Sequence, residues 1–268
     1  MGSGAGTGQI CREIAREKES REVMGANDLA SRFFHSCLVN TRYGERGIQY
    51  LAGRGIGRDI IDSFGLGLAP PDFQTLSTAL EKRGVTEEVL LKAGLVSPRQ
   101  RGTGVYDKFR ARVMIPIRDP RGRVVGFTGR ILDKDASPAK YMNTPETAWF
   151  HKGNLLFGLD RASGPIRKRQ QALIVEGHMD AIQPPCRRHR LGGGLHGDCF
   201  HRAPGGLLKR LTPEVVFCFR QRPGRPGGGH AGHSPGAPGR PQMPGDARDR
   251  REGPGRIHPE GRPGSFRG

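Results

Sequence analysis

The sequence predicts an α/β protein in three parts: an α+β unit over residues 27–168, a partial α/β unit over residues 169–219, and a disordered Gly/Pro/Arg tail over residues 220–268. Three observations predict it. Between residues 29 and 93, apolar side chains recur at helical spacing with legible starts and stops. From residue 113, two β-branched runs flank a tight turn. Finally, Ala172-Leu173-Ile174-Val175 is a short, wholly apolar run closed by Glu176 and Gly177, as in a buried parallel-type strand.

Each element follows in order. Residues 1–26 are charged and lack a broad apolar stripe, so they read as a linker or a frayed, solvated helix. From Asn27, Leu29, Phe33, Phe34, Cys37 and Leu38 make a core-facing helix. Arg58–Phe64 is a short helix that Gly65 closes. Asp72 is placed to cap a helix carrying Phe73, Leu76 and Leu80, stopped by Gly84. Thr86, Glu87 and Glu88 open the next, which carries Val89, Leu90 and Ala93 and stops at Gly94. Val113–Ile117 and Arg123–Phe127 are strands around the turn Asp119-Pro120-Arg121-Gly122, and Pro116 favours an edge position for the first. Glu214–Phe219 reads as a neighbour of the Ala172–Val175 strand.

The net charge of +18 favours a polyanionic partner. Ten arginines against Asp246, Asp249, Glu252 and Glu260 give the tail +6, so the front part carries +12 of its own. The tail is 13 Gly, 9 Pro and 10 Arg among 49 residues, too few apolar groups to offset the entropy of ordering. Five widely spaced cysteines with no secretory signal suit a reducing cytoplasm, and no apolar run is long enough to span a bilayer. An acid at the carboxyl end of a parallel strand sits where open α/β sheets gather ligands, which makes Glu176 the first candidate and Asp180 the second. The β region also carries Arg110 and Arg112, which strand alternation puts on one face, together with Arg130. Lys140, Asn143 and Lys152 follow in a loop suited to phosphates and sugars.

These residues also carry a resemblance. Tyr106-Asp107-Lys108-Phe109-Arg110-Ala111-Arg112-Val113-Met114-Ile115-Pro116-Ile117, Gly122–Arg130, Lys140–Thr147 and Phe150-His151-Lys152-Gly153 are similar, in order, to the bacterial-type DNA primase core. Val175-Glu176-Gly177-His178-Met179-Asp180 resembles the first motif of its Toprim half, with His178 where Tyr is usual. The Leu66–Pro70 segment fits as a turn, and Leu207–Phe219 resumes the likeness. The resemblance implies a DNA-directed RNA polymerase that lays short RNA primers on single-stranded DNA, a 3′-hydroxyl attacking an α-phosphate as pyrophosphate leaves. It implies that Arg110, Arg112, Arg130, Lys140, Asn143 and Lys152 bind template, primer or ribonucleotides. Glu176 is then the catalytic acid and an Mg²⁺ (or Mn²⁺) ligand, with Asp180 beside it. The implied molecule is a monomer without a membrane partner.

The likeness then breaks. The family places an Asp-x-Asp pair after the second strand, but here Phe219 leads into Arg220-Gln221-Arg222, so the metal site is incomplete and the copy is expected to be catalytically impaired. Cys11 and Cys37 stand alone, so the family's zinc ribbon and its zinc are not expected, nor is the helicase-binding module. A non-catalytic nucleic-acid-binding remnant is the alternative. A topoisomerase or nuclease is the weaker one, because all four tyrosines precede the Toprim strand. Cys186, His189, His196 and Cys199 have zinc-like spacing but sit among Gly, Pro and Arg with little framework. Gly53, Gly55 and Gly57 read as turn glycines, Trp149 and Phe150 as core anchors, His178 as structural, and His151 as structural or a phosphate contact and not a catalytic base.

A slip of reading frame accounts for the break. One-base shifts through GC-rich codons turn Arg220–Arg225 into Asp-Ser-Asp-Arg-Ala-Gly and Leu191–His201 into Val-Ala-Ser-Met-Gly-Thr-Ala-Phe-Thr. Sequencing the gene across these codons should find both motifs in a neighbouring frame; their absence from both neighbouring frames refutes the slip.

Overall fold

The computed structural model describes residues 4–133, 139–183, 198–199 and 205–218. The expected disordered tail, Arg220–Arg222 and most of the candidate zinc set lie outside those residues.

Helix α1 (Gly4–Asn40) is one continuous helix where the sequence suggested a start near Asn27. Its outer turns are exposed, Ile10 and Ile14 included, but Val23, Ala26, Ala30, Phe34 and Leu38 are buried. Helices α2 (Gly44–Ala52) and α3 (Arg58–Phe64) follow, and Gly65 ends α3 in the left-handed conformation (φ 66°) that the sequence suggested. Leu66–Pro70, expected to be a turn, instead contains strand β1 (Gly67–Ala69). α1 crosses that strand so closely that a Cβ on Gly67 would stand 2.5 Å from the Phe34 Cβ, so only glycine fits there.

Helices α4 (Thr75–Glu81) and α5 (Glu87–Lys92) pack beside α1. Thr86 caps α5 as expected, its hydroxyl accepting from the Val89 N–H at 3.4 Å. Asp72 does not cap α4; Phe73 lies outside that helix and is 58% exposed. The cap comes from far away in the chain. Asp107, at the end of the hairpin β2 (Val96–Pro98) and β3 (Val105–Asp107), is 2% exposed and accepts from the Leu76 and Ser77 N–H groups at 2.7 and 3.0 Å. Burial holds its carboxyl above the usual carboxylate range, against the downward pull of those two N–H groups.

The central sheet orders its strands β1-β4-β5-β6, with β4 (Arg112–Arg118), β5 (Val124–Ile131) and β6 (Tyr141–Asn143), all antiparallel. Pro116 therefore sits on an inner strand. β1 pairs only Arg112 to Met114, so beyond Met114 the Pro116 side of β4 is locally an edge and the missing N–H breaks no ladder bond. The Asp119–Gly122 turn forms as expected, with Gly122 at φ 82° and the Asp119 carboxylate accepting from the Arg121 and Arg123 N–H groups.

One face of this sheet packs on α1, α4 and α5 around Phe34, Met114 and Phe127, the two rings meeting edge-on at 5.5 Å. The other face packs Val113 and Ile115 against Leu51, Ile61 and Phe157. Helix α6 (Leu159–Arg169), β7 (Gln171–Val175), α7 (His178–Ile182), β8 (Asp198–Cys199), α8 (Gly205–Lys209) and β9 (Glu214–Cys218) complete the described chain. β7 lies between β8 and β9 and is parallel to both, as its apolar run predicts. α7 reaches back, placing Met179, Ala181 and Ile182 in the core with Leu51.

Asp107→Ala would strand two buried N–H groups and is expected to cost about 3 kcal/mol in urea unfolding. Asp107→Asn keeps an acceptor and should cost about 1 kcal/mol.

Candidate functional site

Strand register divides the candidate residues. Directly opposed residues share a face, so Val113, Thr128, Arg130, Tyr141 and Asn143 lie on the face toward α7. Arg112, Met114, Phe127 and Gly129 lie on the face toward α1. Arg112 and Arg130 thus point to opposite sides of the sheet.

Arg130 is 8% exposed, yet its guanidinium is held by a built environment. It donates to the hydroxyls of Tyr50 and Tyr141 and lies over the Tyr141 ring at 4.9 Å. Arg54, just past α2, lies over the Tyr50 ring at 4.8 Å. Among the described residues, three atoms around this cluster are buried with no hydrogen-bond partner: Nε of Arg54, Oγ1 of Thr128 and Oδ1 of Asn143. Two cations, two phenols and unpaired polar atoms on one face suit an anionic, hydrogen-bonding ligand.

Lys140 is exposed next to Tyr141. Lys152 is exposed and opens a 3₁₀ turn (Lys152–Asn154), where Glu146 accepts from the Lys152 backbone N–H at 3.0 Å and contacts the exposed His151 ring at 3.2 Å. Phe150 is buried and Trp149 packs on the core, as expected of both. Tyr50 and Arg54 escaped the sequence reading. Their four-residue spacing around the end of a helix puts them on one side, but only the sheet register shows that Arg130 meets them.

Arg110 and Arg112 do not share a strand face. β4 begins at Arg112, and Ala111 has a left-handed φ of 48°, so alternation does not extend to Arg110. Arg112 is 3% exposed and donates to the carbonyls of Ala139 at 3.0 Å and Gly129 at 3.4 Å. Burial, with Arg110 nearby, lowers its pKa below the usual arginine range. Arg110 lies instead over Phe73 at 4.4 Å and Tyr106 at 5.2 Å. Phe73 also borders an open cleft of about 540 Å³ shared with Phe33, Thr75, Thr78, Lys82 and Asp72. The sequence pattern had placed Phe73 inside a helix, which hid this stack.

Glu176 is exposed directly beyond the carboxyl end of β7. Asp180, in the first turn of α7, folds its carboxylate back against Gly177. The His178 ring packs edge-on against Phe157 at 4.9 Å, a structural role as expected. In the parallel pair, Val175 lies opposite Cys218, so β9 ends one residue short of the level of Glu176. Among the described residues, no group of three His, Cys, Asp or Glu side chains gathers that could hold a metal ion.

Residues 33–163 match the family described as DNA primase catalytic core, N-terminal domain. The chain is 45% identical over 208 residues to the DNA primase of Deinococcus radiodurans, covering 76% of this chain and 35% of that protein. It is 34% identical over 201 residues to the DNA primase of Listeria monocytogenes, covering 75% and 32% respectively. It thus spans about a third of the length of these curated relatives. Among solved structures, the RNA polymerase domain of Mycobacterium tuberculosis primase DnaG superposes with a TM-score of 0.66 at 32% identity, covering 75% of this chain and 66% of that one. A DnaG primase catalytic domain bound to ssDNA gives 0.63 at 33% identity, covering 75% and 62%.

The contrast between the two neighbouring arginines is measurable. Arg112→Met leaves two carbonyls without their donor and is expected to cost about 2 kcal/mol in urea unfolding. Arg110→Ala, which loses one bond to the Asp107 carbonyl and a stack on Phe73 and Tyr106, should cost about 1 kcal/mol.

Proposed function

The chain belongs to the DNA primase catalytic-core family, and from that premise we propose that it binds single-stranded nucleic acid while being unable to join ribonucleotides efficiently. The observation that carries the binding half is the Arg130 cluster, in which Tyr50, Tyr141 and Arg54 hold two guanidinium groups beside unpaired polar atoms. Arg130 and Arg54 take phosphates of template, primer or ribonucleotide, Asn143 offers a polar contact, and Lys140 and Lys152 add charge at the rim. On the other side of the sheet, Arg110 neutralises a phosphate while exposed Phe73 stacks a base. Arg112 is left out of the binding set because its guanidinium is enclosed and donates to backbone carbonyls.

The impairment rests on charge. By the resemblance, the family's divalent-cation site includes an Asp-x-Asp pair after the second strand, and Glu176 with Asp180 lacks that pair. Glu176 alone is left to orient a 3′-hydroxyl or a ribonucleotide by hydrogen bonding. The residues directly after Phe219 are Arg220, Gln221 and Arg222, two cations and an amide where the family carries carboxylates. No described helix is long and apolar enough to cross a membrane, and among the described residues Cys11 and Cys37 form no disulfide, which agrees with a reducing cytoplasmic setting.

Two measurements on the full chain test this. With Mg²⁺ or Mn²⁺, ribonucleoside triphosphates and a single-stranded template, no primer should form, whereas robust synthesis overturns the impairment. Anisotropy with a labelled oligonucleotide should show salt-dependent binding, weakened about tenfold by Arg130→Ala and several-fold by Phe73→Leu. Absence of binding by the unmodified chain overturns the binding half.

A further inference from the structure

Resting on the reading that Arg54 holds nucleic-acid phosphates, we infer that Gln183 is a positioning residue for Arg54, so that the cationic cluster is complete only while α7 is docked. The amide Nε2 of Gln183 donates to the backbone carbonyl of Arg54 at 3.1 Å, across 129 residues of sequence. Gln183 is firmly seated: it follows directly on α7, its N–H donates to the Met179 carbonyl at 3.1 Å, and Met179, Ala181 and Ile182 before it are buried. Arg54 sits in the turn that ends α2, between Gly53 and Gly55, the latter at φ 74°.

Four short-range bonds give that turn its shape: Gly53 N–H to Gln49, Arg54 N–H to Leu51, Gly55 N–H to Ala52 and Ile56 N–H to Leu51. All are made by N–H groups within residues 49–56 and leave the Arg54 carbonyl to Gln183, which ties the turn to α7. The position of that turn sets where the Arg54 guanidinium lies over Tyr50, where among the described residues its Nε is buried without a partner. The element that supplies the clamp also carries Glu176 and Asp180, since all three lie between the end of β7 and the end of α7. Ligand binding at Arg54 and docking of α7 are therefore coupled, each favouring the other to the same degree.

A double-mutant cycle on the full chain separates positioning from general stability, using a labelled single-stranded oligonucleotide as the probe. Gln183→Met keeps the length of the side chain and removes the donor. It should weaken oligonucleotide binding about fivefold, the effect of one neutral hydrogen bond. In an Arg54→Met background the same substitution should change nothing, because the side chain it positions is gone. Gln183→Ala, a smaller side chain at a half-buried site, serves as a second variant should the methionine disturb folding. Wild-type affinity in both Gln183 variants overturns the inference, as does an equal loss in the two backgrounds. An Arg54→Met protein that binds as tightly as the unmodified chain instead overturns the reading of Arg54 as a phosphate ligand. These outcomes are distinguishable in one set of titrations.

Discussion

The central hairpin has to be buried on both sides. All of β5 and all but the last residue of β4 are inaccessible, with α1 on one face and α7 on the other. An antiparallel pair usually leaves one face to solvent, so double burial imposes an unusual demand. A polar side chain on these strands costs free energy unless a partner inside the protein answers it. That demand sorts the arginines. Arg112, under α1, is satisfied by main-chain carbonyls and becomes part of the scaffold. Arg130, on the opposite face, is satisfied by the hydroxyls of Tyr50 and Tyr141. Chemically identical side chains thus acquire separate duties from the face on which register places them.

The same demand explains why the front unit is stitched together by side chains distant in sequence. Helix α4 is only seven residues long and has no side-chain cap of its own. Its free N–H groups are answered by Asp107, and that carboxylate fixes the hairpin that leads to Arg110. The Phe73–Arg110–Tyr106 stack is a by-product of this tie, since the Asp107 N–H also donates to the Phe73 carbonyl. A stability feature and a ligand-facing feature share one strand end.

Much of this was legible in the sequence because it is local chemistry. Thr86 before two glutamates, Gly65 after an apolar turn, and Asp119-Pro120-Arg121-Gly122 between β-branched runs each specify their conformation within a few residues. The parallel pairing of β7 with β9 followed from two apolar runs without polar alternation. What was not legible depends on register and on contacts across the chain. Asp72 looked like the cap of α4 because the real one is 31 positions from the N–H it binds. Pro116 looked like an edge residue because the brevity of β1 cannot be read from β4 itself. Arg110 and Arg112 looked like neighbours on one face until the backbone twist at Ala111 separated them. Tyr50 and Arg54 lie far in sequence from the arginine they join, and no spacing rule links them to it.

The pairing of β7 with β9 has a consequence for the candidate acid beside it. The parallel register sets Val175 against Cys218, so the last residue of β9 stands level with the residue before Glu176. Two neighbouring strands therefore run out together, like jetties built to one length, and Glu176 is moored at the end of the first.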